Sequence, residues 1–236
     1  MLRNLNLNTQ ESCGIYKMLF QNEHVNLQPG NAFRIGSLEF VVERFNKGIV
    51  RDIGHREHQE DSYQAISQLI NLDNKVQISY FAVFDGHGGH LCAQFCSENL
   101  HIEIKKQLED VLTGIEHSED LNKTLKECLV SSFKKIDENY AKEFPKECKQ
   151  CGTTACVALI IGNKLVIANV GDSRAVLCRR GAPIDLSVDH KARRQDEKDR
   201  IISQGGYIVH GRVLGRLAVS RAIGDFDCKN IDVPVK

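Results

Sequence analysis

The sequence predicts an α+β fold, because stretches with strand periodicity and stretches with helix periodicity fall in separate blocks rather than alternating. Over residues 78–84, Ile78, Tyr80, Ala82 and Phe84 share one face while Phe81 and Val83 take the other, so this strand is expected to be covered on both sides. Over residues 120–144, Leu121, Leu125, Leu129, Phe133, Ile136 and Tyr140 recur at helical spacing, and lysines and acids fill the opposite face.

Residues 1–45 are mixed and polar, broken by Pro29-Gly30 and Gly36. They read as a loosely ordered N-terminal extension to one domain over residues 46–236. After the strand and a glycine-rich turn, residues 91–108 form the first predicted helix, and residues 120–144 the second. Residues 154–161, 165–170 and 175–178 then read as three antiparallel strands of one meander. Gly162-Asn163-Lys164 and Gly171-Asp172-Ser173-Arg174 supply its tight turns. A charged helix over residues 193–204 is stopped by Gly205-Gly206. No repeat or low-complexity tract interrupts this order.

With 236 residues, 42% of them hydrophobic, the chain is long enough to bury the core of one domain. Its 31 basic and 31 acidic residues balance, which argues against nucleic acid or an anionic membrane as the partner. There is no long apolar run, and the opening MLRNLNLNTQESCG lacks the apolar stretch of a signal peptide. A soluble, monomeric, cytoplasmic protein is expected, with the nucleus also open. The nine cysteines, an odd number without a secretory signal, read as reduced thiols serving as small hydrophobes. Cys148 and Cys151 form one CxxC, but no second pair or nearby histidine completes a zinc site. Cys92 and Cys96, one helical turn apart, are expected to face the core.

The strand YFAVFDGHGG ends on an aspartate and an imidazole set between glycines, which is more chemistry than a chain reversal needs. Upstream, RDIGHREHQED crowds Arg56, Glu60 and Asp61 at the end of a predicted strand, with Arg56 and Glu60 on one face and Asp61 on the other. Downstream, Asp172 sits in its Gly-Asp-Ser-Arg turn. Each has an ordinary reading when taken alone: a solvated charge run, a polar turn, and an aspartate capping its own backbone.

Together they suit hard cations such as magnesium or manganese, which take carboxylate and carbonyl oxygens and keep several waters. Asp85 has two oxygens with which to bridge two ions, and Gly86 can offer an unobstructed carbonyl. Glu60 and Asp61 can orient metal-bound waters, one of which becomes the nucleophile. His87 can give a proton to a departing alkoxide, and Arg56 can clamp a phosphate with its planar fork. The set fits metal-assisted hydrolysis of a phosphate ester. No Gly-x4-Gly-Lys-Ser/Thr loop or kinase signature is present.

At these residues the sequence resembles the metal-dependent protein phosphatases of the protein phosphatase 2C (PPM) type. The matching segments are REHQED, FAVFDGHGG, CGTTACVALI, ANVGDSRAVLCRRG, DHKARRQDEKDRIISQGG and GRLAVSRAIGDFDCK, in order over residues 50–229. YFAVFDGHGG, NLH and GRVLG are most similar to the integrin-linked-kinase-associated members. The resemblance implies two antiparallel sheets packed face to face with helices outside, a site for two Mg2+ or Mn2+ ions, and hydrolysis of phosphoserine and phosphothreonine in phosphoprotein substrates.

Carried over residue by residue, it makes Asp85 the bridging ligand, Gly86 a carbonyl ligand, and Glu60 and Asp61 holders of metal-bound water. His87 becomes the general acid and Arg56 the phosphate-binding residue. Asp172 matches the position of a third, weaker metal. Gly152 and Thr153 match a motif beside the site that is mainly structural, and Arg221 lies near the flap as a further substrate-binding residue.

The chain departs from the family after RAIGDFD, where family domains continue to an Asp-Gly and a final Asp-Asn that complete the metal shell. Here it stops at NIDVPVK, and Asp225 and Asp232 are too early for either motif. The expectation is a phosphatase domain incomplete at its C-terminus, lacking its last strands. Two function classes follow: a metal-dependent serine/threonine protein phosphatase, or a phosphatase-like binding or regulatory protein with little turnover.

Overall fold

The computed structural model describes residues 21–22, 32–35, 38–41, 45–72, 76–114, 121–161 and 164–229. Most of the predicted N-terminal extension, the Gly162-Asn163 turn and Asp232 lie outside them. The first elements are β1 (Gln21–Asn22), β2 (Ala32–Ile35), β3 (Leu38–Val41) and β4 (Phe45–Asn46). They make two short antiparallel pairs, β1 with β4 and β2 with β3.

The main sheet is built from β5 (Ser62–Leu72), β6 (Val76–Phe84), β9 (Ala155–Ile161) and β10 (Lys164–Val170), antiparallel throughout in the order β10-β9-β6-β5. As the alternation predicts, β6 runs through the middle. Ile78, Tyr80, Ala82 and Phe84 are buried on one face, and Phe81 is buried on the other. Helices α1 (Leu91–Gly114) and α2 (Leu121–Glu143) pack on the first of these faces. The helical stripe Leu125, Leu129, Phe133, Ile136 and Tyr140 is buried in the same core, together with Cys92 and Cys96. Helix α1 continues past its predicted end at Leu108 because Val111 still packs against that core. Every cysteine among the described residues is free.

Two expectations change. Residues 51–61 are not the end of a strand: they form loops and turns, and β5 begins only at Ser62. The proposed third meander strand leaves the main sheet. Instead β11 (Val176–Arg179) pairs with β12 (Ala182–Asp185) through a two-residue turn in which Arg180 and Gly181 both have positive φ, at 52° and 79°. The chain departs because Gly171–Arg174 is no simple reversal. His190 Nδ1 accepts the Gly171 amide at 3.2 Å, and the Ala175 amide donates to Ser187 Oγ at 2.9 Å, drawing the strand toward residues 187–190. Finally, the mixed α+β class with antiparallel sheets and helices holds. The second broad sheet implied by the family resemblance is not among the described residues, where every other sheet is two- or three-stranded.

Helix α3 (Gln195–Ser203) ends as predicted. Gly205 adopts φ 81°, its amide donates to Ile202 O, and the Gly206 amide donates to Ile201 O, a Schellman closure. A hairpin of β13 (Ile208–Val209) and β14 (Arg212–Val213) follows. Then β15 (Ile223–Gly224) joins β8 (Gly152–Thr153) and β7 (Gly86–His87) in a small sheet ordered β15-β8-β7, before the short α4 (Phe226–Lys229). This small sheet positions the site.

Candidate active site

Asp85 stands where β6 ends and is clamped from both sides of its peptide. Its amide donates to Thr154 Oγ1 at 3.0 Å, and its carbonyl accepts the Thr154 amide at 3.0 Å. The Thr154 hydroxyl also meets Ser173 Oγ at 2.6 Å, tying the Asp85 turn to the turn that carries Asp172. Gly86 has no room for a side chain, since a Cβ there would collide with the Glu60 carbonyl and the Ala93 methyl. That close approach brings the 60–61 pair in. Glu60 Oε1 accepts the Gly89 amide at 2.8 Å, where the turn enters α1. Gly88 and Gly89 make the turn at φ 67° and 116°.

The electrostatics follow from crowding. Burial, then the neighbouring carboxylates of Asp61 and Asp172, push Asp85 up to about 7, and the nearby His87 works in the other direction. Asp61 lies within hydrogen-bonding reach of Asp85. Lys191 Nζ is 3.8 Å from Asp172 Oδ2, but it is also shared with Asp189 at 3.7 Å. Carboxylates held this close to one another are the oxygen chemistry that a hard dication would suit. Among the described residues, no three acidic, imidazole or thiol side chains close on one point tightly enough to hold an ion alone.

His87 lies in β7, beside Gly152 of β8. Its Nε2 donates to Asp225 Oδ2 at 2.6 Å. Burial opposes protonation of the ring, but the hydrogen bond and charge of Asp225, joined by the Asp85 and Glu60 carboxylates, together hold the imidazole above its ordinary range. Asp225 is itself buried, just past β15.

The two arginines fare differently from expectation. Arg56 is exposed in a turn, its amide donating to Ile53 O at 3.2 Å, so the shared strand face with Glu60 does not exist. Arg221 is not open to a phosphate. Its Nε and Nη2 both engage Glu197, at 2.9 and 2.6 Å, and its side chain is 10% exposed. Glu197 also accepts from Arg200 Nη2 and Ser220 Oγ, each at 2.7 Å. Burial would raise its carboxyl, yet these donors hold it well below the usual carboxylate range. Arg221 is a brace.

Sequence reasoning missed Asp225 and Thr154. Thr154 lay within the quoted CGTTACVALI segment, directly before the β9 run, but no local signal there pairs it with Asp85. Asp225 offered one signal, an aspartate following a glycine directly after an apolar pair.

Compared with known proteins, residues 48–235 match the family model described as protein phosphatase 2C. The chain is 41% identical over 194 residues to protein phosphatase 2C homolog 2 of Hypocrea jecorina, covering 79% of this chain and 42% of that protein. It is 37% identical over 195 residues to the integrin-linked kinase-associated serine/threonine phosphatase 2C of Rattus norvegicus, covering 76% and 48%. It is 37% identical over 235 residues to the mitochondrial protein phosphatase 1K of Xenopus laevis, covering 95% and 58%. Among solved structures it is similar to a C. elegans sex determining protein, with a TM-score of 0.61 at 30% identity, covering 73% and 42%. The likeness to the serine-threonine phosphatase 2C of Toxoplasma gondii, TM-score 0.59 at 22% identity over 91% and 74%, is one of fold. The chain belongs to the protein phosphatase 2C family. It spans about half the length of the curated relatives it matches.

Proposed function

We propose that the protein is a metal-dependent serine/threonine protein phosphatase acting on phosphoproteins. The observation that carries this reading is the juxtaposition, at the end of the central strand, of an imidazole with a crowded carboxylate group raised by burial and mutual repulsion. Asp85 and the Gly86 carbonyl would hold Mg2+ or Mn2+ directly, Glu60 and Asp61 through water, and Asp172 a further, weaker ion. Divalent cations, when bound, lower the pKa of a coordinated water and offset charge on the phosphoryl oxygens. His87 gives its proton to the serine or threonine oxygen as the P–O bond breaks. Arg56, exposed to solvent, receives the substrate phosphate. Arg221 drops out of the substrate contacts and supports the site through Glu197.

A second reading, phosphoprotein binding with little turnover, is favoured by the partial donor shell. Phosphate release from a phosphoserine peptide with added Mn2+ decides between them. The enzyme reading expects release that Asp85→Asn abolishes. Peptide binding without release establishes the binding module instead. For location, the free cysteines support a reducing compartment. Among the described residues no helix is long and apolar enough to cross a membrane.

A further inference from the structure

The three short strands β15, β8 and β7 lay Gly224, Gly152 and His87 abreast, bringing His87 to the residue that follows β15, Asp225. Several features serve this one contact. A Cβ on Gly152 would overlap both the Asp225 carboxylate and His87 Nε2, so only glycine leaves room for the bond. Asp225 adopts φ 54°, a left-handed conformation that non-glycine residues rarely take, and its amide donates to Cys151 O at 3.3 Å. Its side chain is 6% exposed against 31% for His87, so the carboxylate faces inward and the ring is partly open. A carboxylate only accepts, so the hydrogen of this bond belongs to Nε2. Nδ1 makes no hydrogen bond with any described residue.

We infer that Asp225 is a positioning residue that fixes the ring and tautomer of His87, holding Nε2–H and leaving Nδ1 as the atom that delivers the proton. This rests on His87 acting as the acid proposed above. In that step a water oxygen forms the new bond to phosphorus and the P–O bond to the serine or threonine breaks. Its electron pair stays on the leaving oxygen, which takes a proton from Nδ1 of the doubly protonated ring; the ring is left neutral with Nε2–H still donating to Asp225, and the hydrogens of the attacking water stay with the released phosphate. The role parallels that of a buried carboxylate that orients a catalytic histidine without itself being protonated.

The test reads the ring directly. Long-range 1H–15N correlation spectra of the uniformly 15N-labelled chain, taken where the imidazole is neutral, report which nitrogen of His87 carries hydrogen. The wild type is expected to show protonated Nε2 and bare Nδ1. Asp225→Gly, which suits the left-handed backbone and so spares the fold, is expected to shift His87 toward the mixture of tautomers of a free histidine. Asp225→Asn, also tolerant of this φ, keeps the shape and loses the charge. With Mn2+ it is expected to lower kcat on a phosphoserine peptide by on the order of 10-fold or more with KM unchanged, and to spare an aryl phosphate, whose leaving oxygen needs little help. Hydrogen on Nδ1 in the wild type, or an unchanged ring spectrum in Asp225→Gly, overturns the inference whatever the turnover. A ring that responds while both substrates lose equally would keep the positioning role and remove the acid role.

Discussion

His190 Nδ1 accepts the Gly171 amide at 3.2 Å, so a buried imidazole holds the turn that carries Asp172. An accepting Nδ1 cannot carry a proton, and the surroundings agree. Burial, then Arg221, push the ring down to about 4, with Glu197 pulling the other way. The folded value lies below the unfolded one of about 6.5, so this contribution is complete above pH 6.5 and is lost as pH falls toward 4. The loss is on the order of 3 kcal/mol. The urea midpoint of the protein relative to that of His190→Gln should rise with pH across this window, since the variant lacks this titration and both keep Asp85.

Asp85 acts in the opposite sense over an overlapping range. Its folded value is raised to about 7, so the protonated form stabilises the protein at low pH and that contribution is lost as pH climbs from about 4 through 7. Protons therefore compete with a cation. Manganese affinity by calorimetry should fall as pH drops below 7, with proton release on binding visible in buffers of different ionisation enthalpy. Asp61→Asn should reduce that proton release by relieving the repulsion on Asp85. A proton-independent affinity would mean that Asp85 is not a ligand.

Glu197 is 1% exposed and collects Arg221, Arg200 and Ser220. Removing it leaves two mostly buried guanidinium groups without their shared anion. Glu197→Ala should cost about 3–5 kcal/mol, a large part of the stability of an ordinary domain. A thermal midpoint within a degree or two of wild type would show that water or other acids take over.

Arg56 tests the substrate side of the proposal. Arg56→Ala should raise KM for a phosphopeptide and leave manganese affinity unchanged, while Arg56→Lys recovers only part, since an ammonium cannot make the two-pronged contact. Equal kinetics in all three proteins would return Arg56 to the solvent.

What the sequence made legible follows its periodicity. The alternation of β6 and the 125–140 stripe of α2 repeat often enough to identify themselves, and the Asp-Gly-His-Gly-Gly turn stood out because an acid and an imidazole together among glycines exceed what a reversal needs. Arg56 was misplaced because charged residues carry no apolar alternation, so nothing in residues 51–61 separated loop from strand. β11 was misassigned because its sheet is decided by His190 and Ser187, distant partners that no local turn signal encodes. Asp225 was dismissed by its distance along the chain from the later metal-binding motifs, although its partner His87 was already in hand.

Each strand of the small β15-β8-β7 sheet is only two residues long. Few hydrogen bonds hold it, whereas the four-stranded sheet and its two long helices share the main core. Ile223 anchors β15 in that core, but β7 and β8 hold only Gly86, His87, Gly152 and Thr153, so parting those two strands exposes little apolar surface and its free energy of opening lies far below that of the whole domain. Amides along Gly86–His87 and Gly152–Thr153 should exchange with deuterium through local fluctuations while those of β6 and β9 wait for global unfolding. In mild denaturant the His87 environment would come apart while far-ultraviolet dichroism still reported an intact protein.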